Sequence, residues 1–508
     1  MDRNQCDSKK IYRWQNRNLM HKPNHKQAVL FTIISYVGIA IGIVSTLFIY
    51  PKNKELLGVF RYVEALAQTI FPVLLLGGSQ ALINFSPKLS DDLKKKLFNF
   101  NVFSILSKSI FGILILGILY FVPAFAGMKY IYFSFAMAIC LAFIELFKKQ
   151  ATIIQKIAVP TFFDNIIPKL ALPIVFLMLL YGHISPKESL LLYVGASLLV
   201  LMLSAFYLNR KWQSNFDFNF STLFDNIKKR DYYKFSFFAF AGSLGSVFAF
   251  RLDALLIPKL INMEALGTFS IGVTLASALA IPATGIFVLY APIVSNHLKN
   301  NDMLNLGKDY KAVAKFLFFI GALLYSCIFL GIENLFSLLP SAENLLPSVP
   351  IILILGLNVI FNMGTGFNGE IITYSKFYKF NLLAILFLAL LNVVLILTVV
   401  KFFQFGIIGV AIASFISMVV FNLVKLIFIY KKFGLWPFDL SYLKLVLVFS
   451  LVLCGVYFLP NSASNFWNLI HKCSLCLLLN LFIIYKLKLV YQYNLKADII
   501  IDKVKNLI

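Results

Sequence analysis

Four cations stand inside otherwise apolar stretches of this chain: Arg61, Lys108, Lys169 and Arg251. A charge at that depth in a bilayer costs about 2.5–3.5 kcal/mol or more, so such residues mark sites that bind or pair with something. Arginine presents a planar fork suited to bidentate contact with phosphate, and lysine a mobile point charge. The four are therefore candidates for holding an anionic substrate. Arg61 and Arg251 lie toward corresponding ends of their stretches and are expected to face each other across a cavity. Their plainer reading is snorkelling to headgroups, or pairing of Arg61 with Glu64 at i+3 and of Arg251 with nearby Asp253. Lys108 stands among Ser104, Ser107 and Ser109, and Lys169 near Asp164 and Asn165. For these two, a salt bridge that only fixes helix packing is the plainer reading.

Contacts to an uncharged polar substrate would come from Gln68, Gln80, Ser243, Ser246, Asn358 and Asn362, although such groups also join ordinary membrane helices to one another. Glu64, Asp164 and Asp253 are the leading candidates for a group that titrates or binds a coupling ion, with Glu145 and Glu370 behind them. Other patterns carry less. Gly364-Thr365-Gly366-Phe367-Asn368-Gly369 fits GxGxxG but ends an apolar helix with no βαβ unit around it, so it reads as a helix break and hinge and not as a nucleotide site. Gly38 and Gly42 make a GxxxG, read as close helix packing, and Cys473 and Cys476 a CxxC inside an apolar helix, read as small lipid-compatible side chains. There is no Walker sequence, and His21, His25, His183, His297 and His471 have no metal-ligand spacing, so neither ATP hydrolysis, a cofactor nor a metal centre is expected.

What must position these residues is a membrane. The 508 residues are 60% hydrophobic, with a mean hydropathy of +0.84. A hydrocarbon core of about 30 Å needs roughly 20 apolar residues of helix. Fourteen stretches meet this, near residues 28–50, 59–85, 98–122, 130–147, 160–182, 189–208, 234–257, 267–293, 312–331, 348–369, 380–400, 406–430, 443–459 and 466–485. No soluble domain is left over. The fold class expected is an all-α polytopic membrane protein.

Of the 46 Lys and Arg residues, 35 fall in or beside the arms and alternate loops that share a side with the N-terminus, 7 in or beside the opposite loops, and the remaining 4 are Arg61, Lys108, Lys169 and Arg251. Positive residues mark the cytoplasmic side, so both termini are expected there. The net charge of +24 is then explained by topology and anionic inner-leaflet lipid, with no nucleic-acid partner needed. The basic arm before the first span, lacking a small-residue cleavage pattern, reads as an uncleaved signal anchor.

The chain also repeats. Residues 47–66 and 255–275 align so that Glu55, Gly58, Phe60 and Leu66 fall on Glu264, Gly267, Phe269 and Leu275. Six spans separate the units, so they share an orientation and form a parallel repeat about an axis along the membrane normal. The expected organisation is a basic arm (1–27), a six-helix bundle (28–208), a basic linker (209–233), a second six-helix bundle (234–430), two further helices (431–485) and a basic tail (486–508).

At this point the pieces Tyr36-Val37-Gly38-Ile39-Ala40-Ile41-Gly42, Glu55-Leu56-Leu57-Gly58 with Phe60-Arg61, Leu76-Gly77-Gly78-Ser79-Gln80 through Phe85-Ser86-Pro87, Arg251-Leu252-Asp253 with Ala265-Leu266-Gly267-Thr268-Phe269, and Leu391-Asn392 followed by Phe405–Ser414 form an order and spacing. In that order the chain resembles the polysaccharide-exporter and O-antigen-flippase family, within the superfamily that joins multidrug antiporters, lipid II flippases and oligosaccharide-lipid transporters. One departure is Asn84 before Phe85, where relatives often place an arginine.

The resemblance implies movement of a polyprenyl-diphosphate-linked oligosaccharide repeat unit (O-antigen, capsule or exopolysaccharide) from the cytoplasmic to the outer leaflet of a bacterial inner membrane, by alternating access. It implies membrane lipids, and polymerase and chain-length machinery, as partners. A lipid II flippase is the nearest alternative. A cation-coupled multidrug antiporter is another, although residues 28–50 hold no Asp or Glu. The outer loops are short, the longest spanning roughly 332–347, which argues against a membrane glycosyltransferase.

Overall fold

A chain that crosses hydrocarbon must satisfy its own backbone polar groups, and helices do so within one segment. The computed structural model describes residues 25–122, 130–212, 219–462, 464–495 and 497–498, and these contain no strand. The first helices are α1 (His25–Phe48), α2 (Lys54–Leu75), α3 (Gly78–Phe85), α4 (Asp91–Tyr120), α5 (Tyr130–Ile153), α6 (Ala158–Leu180) and α7 (Pro186–Lys211). The short α8 (Ser221–Asn226) leads to α9 (Lys229–Leu260), α10 (Met263–Ser277), α11 (Ile281–Lys299), α12 (Met303–Ser337), α13 (Ala342–Leu345), α14 (Val349–Gly364), α15 (Asn368–Tyr374), α16 (Tyr378–Lys401) and α17 (Gly406–Phe433). Finally, α18 (Leu440–Tyr457) and α19 (Asn465–Lys486) pack on α12.

Among the described residues, thirteen helical stretches are long and apolar enough to cross a membrane, with α10 joined to the first part of α11 and α13 to α14; a shorter apolar stretch, Tyr36–Lys52, runs from the second half of α1 through the turn that follows it. The protein is multi-pass. Several expected boundaries shift. The span expected at 59–85 is two helices, α2 and α3, because Leu76 and Gly77 both take positive φ, 43° and 74°. The span expected at 98–122 begins earlier, at Asp91. The expected arm up to residue 24, part of the linker and about half of the tail lie outside the described residues.

The repeat has a structural counterpart. Asn53 caps α2 by accepting from the Leu56 N–H at 2.9 Å, and Asn262 caps α10 by accepting from the Ala265 N–H at 2.7 Å. Both helices then place an acid in the first turn and a glycine five residues beyond the cap. Those glycines meet across the molecule: a Cβ on Gly58 would run into the Met263 carbonyl, and one on Gly267 into the Lys54 carbonyl. Such reciprocal contacts are what a two-fold relation between the units produces. An ion pair from Lys54 to Glu264, 3.0 Å, lies beside the crossing.

At the other end, α3 packs against α9. Gly77 has no room for a side chain against the Ser236 carbonyl, and its φ of +74° suits glycine alone. Phe85 packs its ring against Tyr232 and Phe235, at centroid separations of 5.9 and 5.8 Å. The Tyr232 hydroxyl donates to Asn101 Oδ1 at 2.9 Å. Between the two seams the helices part.

Candidate functional site

A cavity of about 750 Å³ fills that space, lined from both halves of the chain. Its volume lies in the roughly 300–1,000 Å³ range of ligand sites. The N-terminal half contributes α2, which places Arg61, Glu64 and Gln68 on one face at i, i+3 and i+7, with Asp164 and Lys169 from α6 and Tyr193 from α7. Arg251 and Asp253 from α9, Asn358 from α14, Asn392 from α16, and Ser414 and Ser417 from α17 line the other half.

The cations differ sharply in their surroundings. Arg61 Nη1 contacts Glu64 Oε2 at 2.9 Å, and Gln68 Nε2 donates to Glu64 Oε1 at 3.0 Å, so this triad is internally neutralised. Asp164 is likewise held by Lys148 at 2.6 Å, within a network that includes Glu145 and Lys149. Lys169 and Arg251 have neither an ion pair within 4 Å nor a hydrogen bond among the described residues, and Arg251 is exposed to the cavity. Lys169 lies against Gly38 of α1, where an added Cβ would stand 2.9 Å from its ammonium. The other glycine of the GxxxG, Gly42, faces the cavity with nothing within 4 Å of its Cβ position. The positive charges left available therefore come from opposite halves, and one of them is Lys169, where Arg61 was expected.

Asp253 makes a different kind of site. Its two oxygens accept from Asn392 Nδ2 and Ser414 Oγ, each at 3.1 Å, and Ser417 Oγ donates to Asn392 Oδ1 at 3.3 Å. This carboxylate has neutral partners and no salt bridge among the described residues. A carboxylate held only by neutral amide and hydroxyl donors is suited to taking up and releasing a proton. Asn392, Ser414 and Ser417 were not expected as site residues; the signal was a lone aspartate and a mid-span asparagine. Asn358 lines the cavity with its side-chain oxygen buried and without a hydrogen bond.

Five of the expected substrate contacts do not line the cavity, among them Ser246, whose hydroxyl donates to the Gly242 carbonyl of its own helix at 2.9 Å. Lys108 donates from α4 to the Leu74 carbonyl at 2.7 Å, at the end of α2 that the break at Leu76-Gly77 leaves open. It is a cap supplied from a neighbouring helix. Gln80 and Ser243 meet each other at 3.5 Å, tying α3 to α9 in the seam below the cavity. Asn362 accepts from Asn422 Nδ2 at 3.2 Å, inside the second half. Replacing Lys108 with methionine leaves the Leu74 carbonyl unsatisfied in an apolar place, which costs about 1–3 kcal/mol. We expect Lys108→Met to lower the thermal midpoint of the purified protein while activity per folded molecule stays near the wild type.

The fold has known counterparts. One solved structure, described as a lipid II flippase MurJ in an inward closed conformation, superposes with a TM-score of 0.66 at 15% identity, covering 90% of this chain and 99% of that one. A MOP superfamily transporter from Pyrococcus furiosus matches with a TM-score of 0.52 at 15% identity, and a MATE protein in complex with MaL6 with 0.51 at 14%, each over 80% of this chain and 96% of the other. The sequence itself matches no family model and no curated protein at a significant level.

Proposed function

We propose that this protein flips a polyprenyl-diphosphate-linked oligosaccharide repeat unit from the cytoplasmic to the outer leaflet of a bacterial inner membrane, with both termini cytoplasmic. The observation that carries this reading is the pair of cations without an ion pair within 4 Å among the described residues, Lys169 and Arg251, brought to one cavity by the two halves of the chain. A lipid tail can stay in the bilayer while its head crosses, but a diphosphate must find compensating charge on the way. Lysine and arginine from the two halves would grip it together, and Gln68, Asn358 and the cavity tyrosines would contact the sugars.

The two repeat units are the bodies that rock, and the two seams are alternate gates. The Gly58–Gly267 crossing closes one end, and the packing of α3 on α9 closes the other. Asp253, with Asn392 and Ser414, is the site for a coupling proton. Asp253→Asn should remove the dependence of transport on the ion gradient while leaving binding of the lipid-linked substrate within a few-fold of wild type, measured in proteoliposomes with and without an imposed gradient.

The reading is tested by deleting the gene in its own bacterium, with downstream synthesis controlled, and identifying the lipid-linked saccharides that accumulate. Single repeat units trapped in the cytoplasmic leaflet, with surface polymer lost, support it. Accumulated lipid II with arrested wall synthesis would make the chain a lipid II flippase, whose diphosphate would fit the same cations. Unchanged glycans with altered sensitivity to cationic drugs would make it an antiporter.

A further inference from the structure

The second half of the chain buries a polar cluster that the substrate cavity does not use. Past the break after α14, Asn368 donates to Thr365 Oγ1 and to Asn422 Oδ1, both at 2.9 Å, and Asn422 donates on to Asn362. Thr365, Asn368 and Asn422 are buried. Beyond them stand three stronger groups. Lys425, one turn after Phe421 on α17, is only 6% exposed; its ammonium lies 4.5 Å from the Phe421 ring centre and beside Gly369, with no hydrogen bond or ion pair among the described residues. Tyr310 of α12 is fully buried with a hydroxyl that has no partner. Glu370 of α15 lies within electrostatic range of both, yet is in no ion pair within 4 Å among the described residues. Of the other elements packed on α15, α11 sets the Tyr290 ring on Phe367 at 5.7 Å and α16 carries Lys379 in its first turn; among the described residues α16 forms no ion pair with Glu370.

An ammonium and a phenol buried without acceptors, next to a carboxylate that reaches neither, leave a polar site incomplete. What the site can take up is restricted by charge. Lys425 would repel a metal cation, and Glu370 would repel an anion. A proton needs no room, and its arrival changes the charge of the site by one.

We propose that Tyr310, Glu370 and Lys425 form a proton-binding site inside the second half of the chain. The amide cluster joins it to the cavity side. Asn362 follows the cavity-lining Asn358 by one turn on α14, and Ser414, Ser417, Asn422 and Lys425 run along α17. The proton sits on Glu370 in one state; when it leaves, the carboxylate turns to the Lys425 ammonium and the Tyr310 hydroxyl. That rearrangement pulls α15 toward α17, and the break from Gly364 to Phe367, with Gly366 at φ +67°, gives α15 the freedom to move. The site is separate from the anion-binding cations, so its test does not depend on what the protein carries.

The test is infrared difference spectroscopy of the full-length protein in lipid nanodiscs, titrated between about pH 4 and 10. Glu370→Gln should remove one carboxylic-acid band. Lys425→Met takes away the neighbouring positive charge, so the midpoint of that band should rise by about 1 pH unit or more. Tyr310→Phe, which keeps the ring against Phe367, should move it in the same direction and serves if the lysine variant does not fold. A spectrum that loses no band in Glu370→Gln overturns the proposal, as does a band whose midpoint is the same in the wild type, Lys425→Met and Tyr310→Phe.

Discussion

Replacing Lys169 and Arg251 together with glutamine will reduce flipping by at least about 100-fold. Each cation offers the diphosphate a charge-assisted contact with a net value of about 1.5–3 kcal/mol. Two such contacts total about 3–6 kcal/mol, and every 1.4 kcal/mol is tenfold. Each single variant should lose roughly tenfold, because the remaining cation still holds one side of the head. The comparison that gives this prediction its force is Arg61→Gln with Glu64→Gln. That pair already satisfies itself, Arg61 to Glu64 at 2.9 Å, so removing both leaves the net charge of the cavity unchanged and should cost far less. Initial rates in proteoliposomes, normalised to folded protein, separate the two cases. Equal losses in the two double variants would show that the cavity cations act through packing and not through their free charge.

The second large effect lies at the gate. Gly267→Ala places a methyl group where the Lys54 carbonyl stands, and a backbone atom cannot step aside as a side chain can. Overpacking of this kind costs about 1–3 kcal/mol, here charged to the closed state of one end alone. The balance between states should shift by roughly 5- to 150-fold toward opening at the Asn53 end. A cysteine at Ser270, which lines the cavity, should then become reactive to a membrane-impermeant thiol reagent applied from that side, in a background lacking the native cysteines. Transport should fall steeply while the protein remains folded, because a gate that cannot close breaks the cycle. Gly58→Ala should do the same through the Met263 carbonyl, since the contact is reciprocal.

The helices were readable in the sequence because the bilayer sets a length and a composition that each span must meet. The repeat was readable too, through Glu55, Gly58 and Phe60 and their counterparts; the capping asparagines Asn53 and Asn262 fall at the same offset. Pairing within one helix could be anticipated from spacing, as with Arg61 and Glu64. Contacts made between distant helices could not. Lys108 caps a carbonyl that exists only because α2 breaks at Leu76-Gly77, and a hydropathy profile runs through that break without a mark. Asp253 finds its partners 139 and 161 residues away, on α16 and α17. Lys425, which nothing in its spacing singles out, is buried one turn beyond Phe421. Composition tells which residues are costly in a membrane, and only the packing tells which have been compensated.

Carriage of an anionic, diphosphate-linked head across the membrane by this cavity is measured most directly as leaflet exchange of a defined lipid. Vesicles holding the purified protein and a polyprenyl-diphosphate oligosaccharide, with the sugar scored by an external lectin, report the rate at which inner-leaflet heads appear outside. Exchange should run well above that of protein-free vesicles, be abolished by the Lys169 and Arg251 double substitution and weaken when the diphosphate is replaced by a neutral linkage. Exchange at the same rate with the neutral linkage, or none with the diphosphate, would contradict this reading.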